Sequence, residues 1–174
     1  MKVYIVRHGE VATNALKIFN TETEDLNEKG IEQAKELREK IQDISFDIII
    51  SSPLIRARHT AEIINSKNIP IQTDERLRER NPESLAGQPY TVTDREDYWN
   101  YDSTVTYGTN ERVQPFFKRV HDFLDELKTK EYHSVLIVAH SGVSKAFSAY
   151  FEGIGDGMFL DRGLKNCEIK EYEL

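Results

Sequence analysis

The sequence predicts an α/β fold, a three-layer sandwich in which a mostly parallel central sheet carries helices on both faces. Two observations carry this prediction. Val3-Tyr4-Ile5-Val6, Phe46-Asp47-Ile48-Ile49-Ile50 and Ser134-Val135-Leu136-Ile137-Val138-Ala139 are short apolar runs of the kind that form strands buried on both faces. Segments of helical periodicity separate them, and strands alternating with helices build parallel sheets. Right-handed crossovers then bring the carboxyl ends of the parallel strands to one edge, where ligands of open α/β sheets bind.

Each element follows in turn. The first strand empties into Arg7-His8-Gly9-Glu10. Residues 11–26 are polar and irregular, and their acidic cluster, Glu22, Glu24 and Asp25, reads as a solvated loop. Asn27 can cap a helix in which Ile31, Ala34, Leu37 and Ile41 share one face. The second strand ends in Ser51-Ser52-Pro53, with Ser52 as cap and Pro53 as first residue of a helix to about residue 65. That helix turns Leu54, Ala57, Ala61 and Ile64 inward. Residues 69–73 form a weaker strand whose Pro70 points to a sheet edge or a strand start.

Residues 80–110 hold Pro82, Gly87, Pro89 and Gly108 with Tyr90, Tyr98, Trp99, Tyr101 and Tyr107. A connection this long is functional or hides short helices, and it reads as a lid or cap whose tyrosines serve packing. Val113, Phe116, Phe117, Val120, Phe123, Leu124 and Leu127 then mark an amphipathic helix with Pro115 in its first turns. After the strand at 134–139 come His140-Ser141-Gly142, a helix to about residue 151, a glycine-rich stretch and a final alternating strand around 167–172.

No repeat, linker or low-complexity tract divides the 174 residues, so residues 1–174 read as a single domain. The formal charge of −7 lacks the basic footprint that a nucleic acid or an anionic membrane requires. Any positive field for an anionic ligand must therefore be local. One cysteine, Cys167, excludes an internal disulfide and a cysteine metal cage, which fits a reducing compartment, and in its apolar surroundings it reads as a small buried hydrophobe. No signal-like or membrane-spanning run is present, and the cytoplasm is the expected location.

The predicted topology gathers chemistry. Arg7 and His8 follow the first strand, Arg56 opens the helix after the second, Glu79 follows the third and His140 ends the fourth. Arginine forks match phosphate oxygens, so Arg7 and Arg56 suit a phosphoryl group, with His140 beside them. A neutral imidazole at His8 is a competent nucleophile, and a carboxylic acid at Glu79 can protonate a leaving alkoxide and then activate water. His59, His121 and His133 have no motif context and read as surface or helix-face residues. Ser141 beside His140 does not make a serine hydrolase, because no Gly-x-Ser-x-Gly elbow exists.

These residues fall in ordered blocks, and the chain resembles the histidine phosphatase superfamily, the phosphoglycerate mutase-like proteins, along nearly its whole length. Arg7-His8-Gly9-Glu10 with Asn14 is similar to the opening motif, and Leu26-Asn27-Glu28-Lys29-Gly30 to the next block. Ser51-Ser52-Pro53-Leu54-Ile55-Arg56-Ala57 with Thr60-Ala61 resembles the phosphate-binding block and selects Arg56 over Arg58. Leu77-Arg78-Glu79-Arg80 resembles the acid/base block, Val138-Ala139-His140-Ser141-Gly142-Val143 the second-histidine block, and Asn166-Cys167 the start of the final strand.

The resemblance implies a phosphoglycerate mutase-like fold, a phosphorylated His8, and a phosphate pocket completed by Arg7, Arg56 and His140. It makes Glu79 the proton donor, Asn14 and Ser141 phosphate or substrate contacts, and implies no metal and no cofactor. The expected activity is hydrolysis of a small phosphorylated metabolite. Phosphoglycerate mutase-type transfer is the alternative, and a non-catalytic phosphate- or phosphoprotein-binding module is the alternative of another class. The chain departs from the family pattern at Ser141, where glycine is usual, at Lys145 and Ile18, where arginine is common, and at Asn81-Pro82. These departures bear on substrate identity more than on catalysis.

Overall fold

The computed structural model describes residues 1–174. Five strands, β1 (Lys2–Arg7), β2 (Ile48–Ser51), β3 (Ile71–Thr73), β4 (Ser134–Ala139) and β5 (Ile169–Glu173), form one sheet in the order β3-β2-β4-β1-β5. β1, β4, β2 and β3 run parallel, and β5 pairs antiparallel with β1. The helices are α1 (Ala12–Leu16), α2 (Glu28–Lys40), α3 (Ile55–Ile64), α4 (Arg95–Tyr98), α5 (Val113–Leu127) and α6 (Ser141–Glu152).

The period of two along each strand divides the core into the two faces of the sandwich. Val3, Ile5, Ile48, Ile50, Val135 and Ile137 pack with the apolar stripes of α5 and α6. Their neighbours Tyr4, Val6, Ile49, Leu136 and Val138 pack with Ala34, Leu37, Ala57 and Ala61 of α2 and α3 on the other face. Continuous apolar runs were needed because both faces are covered. Asn27 caps α2 as expected, its Oδ1 accepting from Gly30 N at 2.8 Å. Pro115 lies in the first turn of α5, where its missing N–H costs no helical bond.

Several boundaries differ from the sequence reading. α3 begins at Ile55 after an extended Leu54, not at Pro53, because Ser52 Oγ is 2.8 Å from His140 Nε2 and accepts from Leu54 N before the helix starts. The final strand starts at Ile169, since Cys167 sits in the left-handed region at φ 54°. The acidic cluster of the 11–26 loop is not merely solvated. Glu24 accepts from Thr13 N and Oγ1 at 2.8 and 2.6 Å, Asp25 lies 2.9 Å from His59, and Glu22 pairs with Arg78.

Residues 80–110 contain two single 3-10 turns, Glu83–Leu85 and Tyr90–Val92, followed by α4. Tyr98 and Trp99 are buried with the α5/α6 core, and isolated bridges from Ile18 to Pro89 and from Asn100 to Met158 tie the segment down. Its aromatic residues therefore do packing work.

One close approach holds the turn after β1 in place. A Cβ on Gly9 would meet the Gly30 carbonyl oxygen at 2.4 Å, and a Cβ on Gly30 would meet the Glu10 carbonyl oxygen at 2.2 Å. Both positions need glycine because backbone touches backbone there. Gly30→Ala is expected to cost about 1–3 kcal/mol of stability, read from urea unfolding at pH 7.5. Unchanged stability would show that the β1 turn does not depend on this contact.

Candidate active site

The carboxyl ends of β1, β2 and β4 open on a cleft of about 360 Å³, in the size range of small-molecule sites. Arg7, His8, Asn14, Arg56, Glu79 and Ser141 all line it. His140 is the exception. It is fully buried, and its ring stands 5.1 Å from the His8 ring in an edge-to-face arrangement, beneath the cleft wall.

His8 is held from several sides. Its backbone N–H donates to Ala139 O at 3.0 Å, and Asn166 Nδ2 donates to its carbonyl at 3.0 Å. Gly9 N donates to Thr60 Oγ1 at 3.1 Å, and that hydroxyl donates to Arg56 O, so the β1 turn is tied to α3. His8 Nδ1 lies 2.7 Å from Gly9 O. A carbonyl only accepts, so Nδ1 carries the proton and Nε2 keeps the lone pair.

Arg7 and Arg56 flank this imidazole without any carboxylate partner. Arg7 Nη1 donates to Leu164 O at 3.0 Å, Arg56 Nη1 donates to Thr21 O at 2.8 Å, and the Nε of each is buried with no acceptor. Burial lowers the affinity of both guanidiniums for their protons, and the nearby Glu79 carboxylate opposes this. Two desolvated cations side by side favour a dianionic guest.

Burial, followed by the fields of Arg56 and Arg7, also holds His8 well below the usual histidine range. Burial and Arg56 do the same to His140. Both rings are therefore neutral at pH 7. His140 Nδ1 is buried without a protein partner, while its Nε2 is engaged by Ser52.

Glu79 stands at the amino end of α6. Its Oε2 accepts from Gly142 N at 3.1 Å and its Oε1 from Arg80 N at 2.8 Å, and each oxygen keeps a second lone pair. Arg119 clamps the strand exit that carries Glu79, donating to the carbonyls of Arg76, Arg78 and Glu79 at 2.6, 2.9 and 3.1 Å while pairing with Glu111 at 2.8 Å. Asn14 Oδ1 accepts from Asn166 Nδ2 at 3.2 Å, and Ser141 is packed so closely on Gly163 that a Cβ there would meet Ser141 Oγ at 2.3 Å.

The five dispersed groups singled out in the sequence thus meet at one sheet edge. Ser52, Thr60, Arg119 and Gly142 support them and were not singled out for these contacts. Thr60 and Gly142 lay inside recognised blocks, but their partners are distant in sequence. His121, read as a surface or helix-face residue, is half-buried, with Nε2 2.9 Å from Ala146 O. Cys167 is half-buried, and burial pushes its thiol up to about 12. No three His, Cys, Asp or Glu side chains cluster as a metal-binding group, and no helix is long and apolar enough to cross a membrane.

The fold is that of the phosphoglycerate mutase-like histidine phosphatases. The family model described as "Histidine phosphatase superfamily (branch 1)" matches residues 3–174, and the chain belongs to that superfamily. It is 31% identical to the adenosylcobalamin/alpha-ribazole phosphatase of Escherichia coli K12, across 88% of this chain and 80% of that protein. It is 32% identical to the Bacillus subtilis protein named "Uncharacterized phosphatase PhoE", across 98% of this chain and 87% of that one. The crystal structure of the alpha-ribazole phosphatase from Shigella flexneri superposes with a TM-score of 0.83 at 26% identity, covering 100% of this chain and 91% of that chain.

Two predictions follow from the geometry of the site. A Cβ on Gly142 would meet Glu79 Oε1 at 2.1 Å and Trp99 Cη2 at 2.9 Å. Gly142→Ala should therefore displace the carboxylate and lower kcat most for esters with poor leaving groups; equal losses on alkyl and activated aryl phosphates would contradict this role for Gly142. The histidines set a pH dependence of stability. Their folded pKa values lie below the unfolded value, so below about pH 6.5 the unfolded chain takes up protons first and stability falls with pH. The slope is at most about 1.4 kcal/mol per pH unit for each buried ring, and urea unfolding of the wild type and His140→Gln between pH 7.5 and 5.5 should show a shallower slope in the variant.

Proposed function

We propose that the protein is a phosphatase that hydrolyses a small phosphomonoester through a phosphohistidine on His8. The observation that carries this reading is the unprotonated Nε2 of a neutral, immobilised His8 beside the buried Arg56 and half-buried Arg7, neither with a carboxylate partner. The Nε2 lone pair attacks phosphorus and forms the N–P bond as the P–O bond to the substrate alcohol breaks. Arg7 and Arg56 hold the equatorial oxygens, neutral His140 completes the pocket, and Asn14 and Ser141 contact the bound ester. These fixed donors stabilise the charge that builds on the phosphoryl group, the main source of rate in such transfers.

Glu79 gives its proton to the departing alkoxide. As a carboxylate it then takes a proton from water, whose oxygen attacks phosphorus, breaks the N–P bond and returns His8 with inorganic phosphate. The arginines supply the positive charge, so the step as proposed uses no metal ion and no cofactor. Residues 80–110 serve as a cap on one domain spanning 1–174, with Tyr90, Tyr98 and Trp99 forming part of the cleft wall. A single free thiol fits a protein of the reducing cytoplasm. The 31–32% identity to proteins named phosphatases supports hydrolysis over mutase-type transfer, proteins named probable phosphoglycerate mutase matching at 28%.

Brief reaction with a labelled phosphomonoester and a denaturing quench should trap an acid-labile phosphoenzyme that is absent from His8→Ala, together with release of inorganic phosphate by the wild type. Isomerisation of a phosphoglycerate with negligible phosphate release would favour the mutase instead. Undiminished turnover in His8→Ala would refute the nucleophile.

A further inference from the structure

Arg95 is a cleft-lining cation that the phosphoryl step does not use. Its guanidinium carbon lies 4.3 Å from the ring centroid of Tyr90, 5.3 Å from that of Tyr98 and 5.5 Å from that of Phe19. No carboxylate pairs with it, and none of its N–H groups has an acceptor in the protein. Other arginines of the cleft are engaged: Arg78 with Glu22 and Glu75, and Arg80 with the carbonyls of Glu111 and Tyr98. The cage that holds Arg95 is itself fixed. Tyr90 N donates to Lys17 O and Phe19 N to Gln88 O, each at 2.9 Å, and Asp94 caps the short helix that carries the arginine.

A second basic side chain faces the same cleft, and burial pulls its ammonium down to about 7. Lys145 of α6 is buried, donates to the carbonyls of Phe159 and Leu160, and stands 4.9 Å from the Trp99 ring centroid. An ammonium has three donors, and no carboxylate pairs with this one. Arg95 and Lys145 line the same cleft as Arg7 and Arg56, so the pair sits beside the phosphoryl clamp without belonging to it.

Charge accounting points to the guest. Six arginines and lysines line the cleft against three glutamates, in a chain whose net charge is −7. Of those glutamates, Glu10 is paired with Lys29 and Glu22 with Arg78. A phosphoryl dianion answers Arg7 and Arg56, Arg80 is turned onto carbonyls, and Glu79 alone faces the charge left on Arg95 and Lys145. Stacking of an uncharged aromatic group is the weaker fit, because the guanidinium already occupies the Tyr90 ring face.

Resting on the phosphatase reading above, we infer that Arg95, with Lys145, forms a second anion subsite, and that the substrate is a phosphomonoester whose alcohol carries its own carboxylate or phosphate. Arg95 is then the specificity-determining residue. It acts on the leaving-group side of the scissile bond, and its contribution appears in recognition of the ester more than in the chemical step.

The test uses matched esters that differ in charge: phosphoglycolate against 2-hydroxyethyl phosphate, and propane-1,3-diyl bisphosphate against 3-hydroxypropyl phosphate. The wild type should favour the anionic member of at least one pair, and the favoured pair identifies carboxylate or phosphate as the group bound. In Arg95→Gln the kcat/KM ratio of anionic to neutral ester should fall about 10- to 100-fold, the range of one charge-assisted hydrogen bond, mainly through KM. Arg95→Lys should restore part of that ratio. A wild-type ratio near one in both pairs, or an Arg95→Gln ratio equal to the wild type's, would overturn the subsite and leave the phosphatase reading standing. Failure of the wild type to release phosphate from any of the four esters would overturn both.

Discussion

One buried and one half-buried guanidinium without carboxylate partners, set against a neutral imidazole, are the constraint on which the rest of the site depends. Desolvated cations are costly, and proteins ordinarily answer them with carboxylates. Here Leu164 O and Thr21 O accept from Arg7 and Arg56, but no full counter-charge is provided. Burial first, and then the same field that makes an anionic guest favourable, keeps His8 unprotonated. Nucleophile activation and phosphate affinity thus share the arginine field, to which burial adds the larger part of the effect on His8.

The fold serves this constraint by anchoring each charged side chain to rigid backbone. Parallel strands deliver Arg7, His8 and His140 to one edge, and the contact of Gly9 with Gly30 locks the turn after β1 against α2. Thr60 links that turn to the helix bearing Arg56, and Ser52 links β2 to His140. On the acid side, Arg119 fixes the carbonyls around Glu79 while the amide of Gly142 orients its carboxylate. The arrangement leaves little freedom in the groups that handle phosphorus. Of the departures from the family pattern, Asn81-Pro82, Ser141 and Lys145 line the cleft.

Much of the fold and of the site was legible because both rest on local patterns. Doubly buried strands declare themselves as continuous apolar runs, and reactive groups at strand ends inherit their position from topology. Arg56 rather than Arg58 was assigned by family resemblance, and the structure buries Arg56 while leaving Arg58 exposed. What stayed illegible depends on partners far apart in the chain. The start of α3 shifted because Ser52 is engaged by His140, 88 positions away. The acidic residues after α1 looked solvated, yet Glu24 closes its own loop through Thr13. Arg95 sits on a four-residue helix with no periodicity to signal it, and its cage combines rings from two separate segments.

The central claim is the protonation state of His8. Nitrogen-15 NMR of the free protein at pH 7 tests it most directly, because chemical shifts distinguish the two neutral tautomers from the imidazolium. The account predicts a neutral ring with the proton on Nδ1 and a free lone pair on Nε2. An imidazolium, or a neutral ring protonated on Nε2, would contradict it.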